Sequence, residues 1–148
     1  MDTDASSVER FILLVEDMPE HVALIQNALQ DSPAQPRIEV MADGAQVVDF
    51  LHRRGSYSQA SRPDMILLDL NLPENQGQQV LSEIKTDPEL KRIPIIVLTQ
   101  SAHPEDVIAT YALHGNSHVV KSTEPERLRE IVQRIEAFWL RIVTLPLQ

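Results

Sequence analysis

Cysteine is absent from the 148-residue chain, which excludes disulfides, thiolate catalysis and zinc sites built on cysteine. Basic charge is scarce too. Thirteen Lys and Arg stand against 22 Asp and Glu, a formal charge of −9. That balance, without any run of basic residues, argues against sequence-independent binding to nucleic acid or to an anionic membrane. No apolar run approaches the length that crosses a bilayer. The start, "MDTDASSVER", lacks the basic residues and apolar stretch of a signal peptide. A soluble, cytoplasmic protein is expected, with no nucleic-acid or membrane partner. With 43% hydrophobic and 24% charged residues, the composition is that of an ordinary globular chain. The length fits one domain over residues 1–148, with no internal repeat or low-complexity segment.

Three apolar runs stand out: "FILLV" (residues 11–15), "MILL" (65–68) and "IPIIVL" (93–98). Each is short, bounded by polar residues and without alternation, as strands covered on both faces read. Weaker strand candidates are "RIEVM" (37–41) and "SHVVK" (117–121). Helical patterns lie between and after them: "PEHVALIQNAL", opening at Pro19, then "GAQVVDFLHRR", "GQQVLSEIK", "PEDVIATYALHG" and "STEPERLREIVQRIEAFWLRIV". Gly115 is placed to cap the fourth helix, and Thr123 with Glu126 has the spacing of a capping box for the fifth. Five strand–helix repeats predict an α/β fold with helices on both faces of a parallel sheet. Right-handed crossovers favour the flavodoxin-like, doubly wound (βα)5 arrangement with strand order 2-1-3-4-5. The expected core is about residues 11–141. Residues 142–148 form a tail beyond the long last helix.

In such a sheet, ligands bind beyond the carboxyl ends of the strands. The first strand ends in Glu16 and Asp17, the third in Asp69, the fourth in Thr99 and the fifth in Lys121. Singly, each has an ordinary reading: a loop charge or cap for Glu16, Asp17 and Thr99, a solvated amine for Lys121. Asp69 is harder to dismiss, because burying an unpaired carboxylate is costly. Together they form a complementary set at neighbouring strand ends. Clustered carboxylates need a cation, and hard oxygen ligands suit Mg²⁺ shared with a phosphate. Asp69 can then act as a nucleophile towards a phosphoryl group. Lys121 and the metal would stabilise charge on the transferring oxygens, and Thr99 would hydrogen-bond the phosphate.

Over residues 11 to about 141 the chain resembles the receiver domain of bacterial response regulators. The resemblance rests on "LLVEDMPEH", "PDMILLDLNLPENQG", "IPIIVLTQSAH" and "HVVKS", in the family's order and spacing. It implies that Asp69 is the phosphoacceptor and that Glu16 and Asp17 hold Mg²⁺, Asp17 directly and Glu16 through water. The backbone carbonyl of Asn71 would complete the metal shell. Thr99 would be the switch hydroxyl and Lys121 the phosphate-binding lysine, with a histidine kinase as phosphoryl donor. The segment "IKTDPELKRIPIIVLTQS", the pair Lys121–Ser122 and above all the tail "IEAFWLRIVTLP" resemble a subgroup, the single-domain receivers paired with bacterial and cyanobacterial phytochromes. A bacteriophytochrome kinase is therefore the expected partner.

Several positions depart from the common family pattern. The acidic pair is Glu-Asp rather than Asp-Asp, and Ser122 replaces a frequent proline, so no slow proline step is expected there. Gln100 replaces a small residue, and its bulk would restrict access to the phosphate. His118 stands where many receivers carry a Tyr or Phe that swings inward. It could make that switch sensitive to pH, the alternative being a partly exposed strand histidine with no switching role. Asn71 and Ser101, each two residues beyond a site residue, hold positions that tune phosphate lifetime in the family. His21, His52, His103 and His114 show no metal-ligand spacing and read as surface residues.

An enzymatic alternative, a phosphohydrolase of the haloacid dehalogenase type, expects a second aspartate two residues after the nucleophile, where this chain has Asn71. A flavin-binding domain would want a phosphate loop rich in Ser, Thr and Gly after the first strand, and "EDMPEH" would repel the phosphate. A scaffold that is never phosphorylated would be favoured if Asp69, Thr99 or Lys121 were missing. No DNA-binding segment is expected after the last helix, so output should be protein–protein contact. Phe138, Trp139, Leu140, Ile142 and Val143 cannot all face one core at ~100° per residue. Some are expected to face a partner, in a homodimer through the fourth and fifth helices or the tail. In the alternative, Trp139 and Ile142 pack on the parent domain and the rest fray.

Overall fold

The computed structural model describes residues 9–146. The polar start and the last two residues of the expected tail lie outside the described residues. Five strands, β1 (Phe11–Val15), β2 (Arg37–Met41), β3 (Met65–Leu68), β4 (Ile95–Thr99) and β5 (Ser117–Val120), alternate with helices α1 (Pro19–Gln30), α2 (Gly44–Leu51), α3 (Gln76–Thr86), α4 (Pro104–Ala112) and α5 (Pro125–Glu136). All neighbouring strands pair in parallel, in the order β2-β1-β3-β4-β5, so the expected topology holds. β1, β3 and β4 are buried along their whole length, which is why their sequences carry no alternation. Successive residues feed opposite faces. Leu13, Val15, Ile66, Leu68 and Val97 pack with α2 and α3, while Ile12, Leu14, Leu67, Ile96 and Leu98 pack with α1 and α5. Among the described residues no helix is long and apolar enough to cross a membrane.

The register sets the site. Val15 pairs with Leu68, and Leu68 with Val97. The next residues on the two central strands, Glu16 and Asp69, therefore emerge together. Their amides still bond within the sheet, Glu16 N–H to the Met41 carbonyl and Asp69 N–H to the Val15 carbonyl, both at 3.0 Å. Gly77, at the start of α3, lies directly against this strand end. A Cβ there would sit 2.6 Å from Leu70 Cα and 2.9 Å from the Asp69 carbonyl oxygen, and neither backbone atom can yield.

Two helix ends differ from expectation. Pro125 places Glu124 at the N-cap of α5 in an extended conformation, φ −91° and ψ 121°, because proline disfavours α geometry in the preceding residue. A capping box from Thr123 would need Glu124 to be helical, so it does not form. Instead, Ser122 Oγ accepts from the Glu124 N–H. At the end of α4 the left-handed residue is His114, φ 68°, a conformation histidine enters more readily than most side chains. Gly115 serves close approach: its Cβ would lie 2.8 Å from Thr110 Cγ2, and its N–H donates to the Thr110 carbonyl at 2.8 Å.

The last helix widens after α5 into a π-helical segment, Ala137–Ile142, closed by Val143 N–H on the Phe138 carbonyl. The wider turn redistributes the apolar run. Leu140 is buried and Trp139 packs against the core on the α1–α5 face, whereas Phe138 is 50% and Ile142 72% exposed.

Candidate functional site

Lys121, the residue after β5, is the hub. Its backbone N–H donates to the Thr99 carbonyl at 2.7 Å, tying the ends of β4 and β5. Its buried ammonium donates to Glu16 Oε1 at 2.6 Å and to Asp69 Oδ2 at 2.9 Å. Asp69 is buried, and its second oxygen, Oδ1, accepts from the Asn71 N–H at 2.8 Å. Burial alone would raise the Asp69 carboxyl, but the Lys121 ammonium and the Asn71 amide outweigh it and hold Asp69 below the usual range. Glu16 goes the other way. Its burial dominates, Lys121 opposes it and neighbouring Asp69 adds to it, so the carboxyl is pushed up to about 7. Of the two carboxyls, Glu16 is therefore the one that takes up a proton first as pH falls, while Asp69 stays anionic and available as a nucleophile.

Asp17 is exposed and completes the acidic group. Glu16, Asp17 and Asp69 each offer a carboxylate oxygen within 4.8 Å of the others, a donor set that suits a hard divalent cation. Thr99 supplies a different observation: its hydroxyl is buried and has no hydrogen-bond partner. An orphaned buried hydroxyl at the end of β4, beside the strand that carries Asp69, has unused capacity for a ligand oxygen. Asn71 and Gln100 are exposed.

One of the histidines departs from the sequence reading. His21 is not a plain surface residue. From the first turn of α1 its Nδ1 lies 2.9 Å from the Lys121 ammonium. Nothing in the sequence pattern pointed to this, because the contact spans 100 residues and depends on how α1 is rotated over the sheet. His118 is half-buried. Its Nδ1 lies 2.8 Å from the Thr110 hydroxyl and its Nε2 3.0 Å from the Ser101 carbonyl, so it bridges α4 to the loop after β4. In that loop Ser101 Oγ also bonds the Asp106 carboxylate.

A buried aspartate held by a lysine, an acidic cluster beside it and an unpartnered threonine, all at the carboxyl end of a 2-1-3-4-5 sheet, define a class of phosphoacceptor domain. The chain belongs to the response regulator receiver domain family, whose model matches residues 12–133. It is 46% identical to the response regulator Rcp1 of Synechocystis sp. over 144 residues, 97% of this chain and 98% of Rcp1. The structure of the phosphorylated cyanobacterial phytochrome response regulator RcpA superposes with a TM-score of 0.91 at 45% identity, covering 95% of this chain and 100% of that one. The Mn²⁺-bound form of Rcp1 gives 0.89 at 46% identity, with coverage of 93% and 99%. The chain is therefore a two-component receiver homologous to phytochrome response regulators, the subgroup that its tail and its Lys121–Ser122 pair resemble.

Proposed function

We propose that the chain is a phosphorelay receiver that accepts a phosphoryl group on Asp69 from the phosphohistidine of a histidine kinase, a bacteriophytochrome being the partner the relatives favour. An Asp69 carboxylate oxygen attacks phosphorus and a new O–P bond forms. The bond from phosphorus to the imidazole nitrogen breaks, and its electron pair stays on that nitrogen. Lys121, released from the neutralised Asp69 oxygen, follows the charge to the phosphoryl oxygens. The Thr99 hydroxyl donates to one of them. Glu16, Asp17, Asp69 and the Asn71 carbonyl would hold Mg²⁺, which would supply further neutralisation of the phosphoryl oxygens.

The observation that carries this reading is the buried Thr99 hydroxyl without a partner, at the end of the strand next to an aspartate already bonded to a lysine. The same residues describe a protein that catalyses only its own phosphorylation and dephosphorylation. Signalling then runs through protein contacts of the receiver domain. The exposed Phe138 and Ile142 favour a homodimer through the tail. The scaffold alternative has no observation in its favour, since Asp69, Thr99 and Lys121 are all in place.

Beryllofluoride, a phosphoryl mimic, tests the reading. A ¹⁹F resonance of the bound species is expected for the wild type with Mg²⁺, and is expected to vanish with EDTA or in Asp69→Asn. Absence of the bound resonance in the folded wild type would overturn it.

A further inference from the structure

An ammonium carries three protons and no lone pair. Lys121 spends them on Glu16 Oε1 at 2.6 Å, Asp69 Oδ2 at 2.9 Å and His21 Nδ1 at 2.9 Å. The third contact fixes the state of the histidine. Nδ1 must accept, so the ring is neutral and its proton sits on Nε2. Partial burial and the nearby ammonium both lower the His21 pKa, in keeping with that tautomer. The ring is held by the start of α1, where Pro19 sets the first turn and the Val22 N–H bonds the Met18 carbonyl at 2.9 Å.

The three acceptors differ in what happens to them during the reaction proposed above, on which this inference rests. Asp69 loses its charge when it is phosphorylated, and Glu16 is among the residues that would hold a divalent cation. His21 does neither. A four-carbon side chain passing from Asp69 to the phosphoryl oxygens would otherwise be free to sample other rotamers on the way, which weakens preorganised charge stabilisation. We propose that His21 is a positioning residue for phosphoryl transfer, its neutral Nδ1 keeping the Lys121 ammonium beside Asp69 while the other two acceptors change. No such role is carried by Glu16 or Asp69 themselves, and it explains why an imidazole from α1 reaches into a site otherwise built from strand ends.

The test measures the rate of Asp69 phosphorylation by acetyl phosphate at saturating Mg²⁺ in the full-length protein. His21→Ala and His21→Leu remove the acceptor, the second with bulk retained. His21→Asn restores an acceptor oxygen close to the Nδ1 position. The expected result is a maximal rate about tenfold lower for His21→Ala and His21→Leu, with His21→Asn within about twofold of wild type and half-saturating Mg²⁺ unchanged in all three. Wild-type rates in the acceptor-free variants would overturn the proposal. So would an equal loss in Asn and Leu, which would assign His21 a shape role. If the wild type itself is not phosphorylated, the reading of Asp69 fails and this inference with it, an outcome visible without any His21 variant.

Discussion

Burial raises the Glu16 carboxyl from its ordinary 4.5 to about 7, against the pull of Lys121 and with a push from Asp69. A cation that draws on Glu16 must displace that proton, so Mg²⁺ affinity should fall as pH drops below about 7, with proton release on binding. Calorimetry in buffers of different ionisation enthalpy reads both. The stability sign follows from the same shift. Without a cation and between pH 4.5 and about 7, the folded state holds a proton that the unfolded chain has lost. Rising pH therefore removes stability at this position. The stability of the wild type relative to Glu16→Gln should become less favourable from pH 5 to pH 7.5, as denaturation without divalent ions would show. At this scale the sequence was most readable where a charge ended an apolar strand. Asp69, Thr99 and Lys121 stand at predictable positions on neighbouring strands, and their convergence follows from strand order alone. His21 was invisible because its role depends on the rotation of a helix, which periodicity does not fix.

Among the helices, α4 has the weakest claim on the core. Thr110 is its single buried residue, and its solvent face exposes Ile108 and Tyr111. Polar bonds hold it instead: Thr110 to His118, His118 to the Ser101 carbonyl, Ser101 to Asp106, and the Tyr111 hydroxyl accepting from the His118 N–H at 3.2 Å. Elements held in this way open locally at low free energy. His118→Ala should make the amides of α4 exchange about tenfold faster, with β1 and β3 unchanged. Equal protection in both proteins would show that His118 bears no load. His118 is thus a partly exposed strand histidine that is structurally engaged. Strand and helix order were legible because each buried run is short and each helix has an apolar stripe. The ends were less so. The proline at 125 decides where α5 starts, and the π-turns of Ala137–Ile142 change which of the apolar residues Phe138, Trp139, Leu140 and Ile142 face inward.

For the whole molecule, the two faces of the sheet account for the apolar runs, and the exposed surplus lies partly on α4, at Ile108 and Tyr111, and partly at the C-terminal end. Trp139 is drawn onto its own domain, leaving Phe138 and Ile142 as the exposed apolar pair of the last helix. An exposed aromatic beside an aliphatic residue is the kind of anchor that interfaces use. If the homodimer proposed above forms, replacing both with serine should weaken it about tenfold in sedimentation experiments and leave the acetyl phosphate rate unchanged. Unaltered self-association would move the interface elsewhere. The acidic balance and the parallel topology were legible in the sequence. The identity of the outward residues was not, because it depends on helix winding beyond α5.

The most direct measurement is intact mass after incubation with acetyl phosphate and Mg²⁺, for the wild type and for Asp69→Asn. The expected result is a gain of one phosphoryl group in the wild type, absent in Asp69→Asn and prevented by EDTA. No gain in the wild type, or an equal gain in Asp69→Asn, would contradict the assignment of Asp69 as the phosphoacceptor.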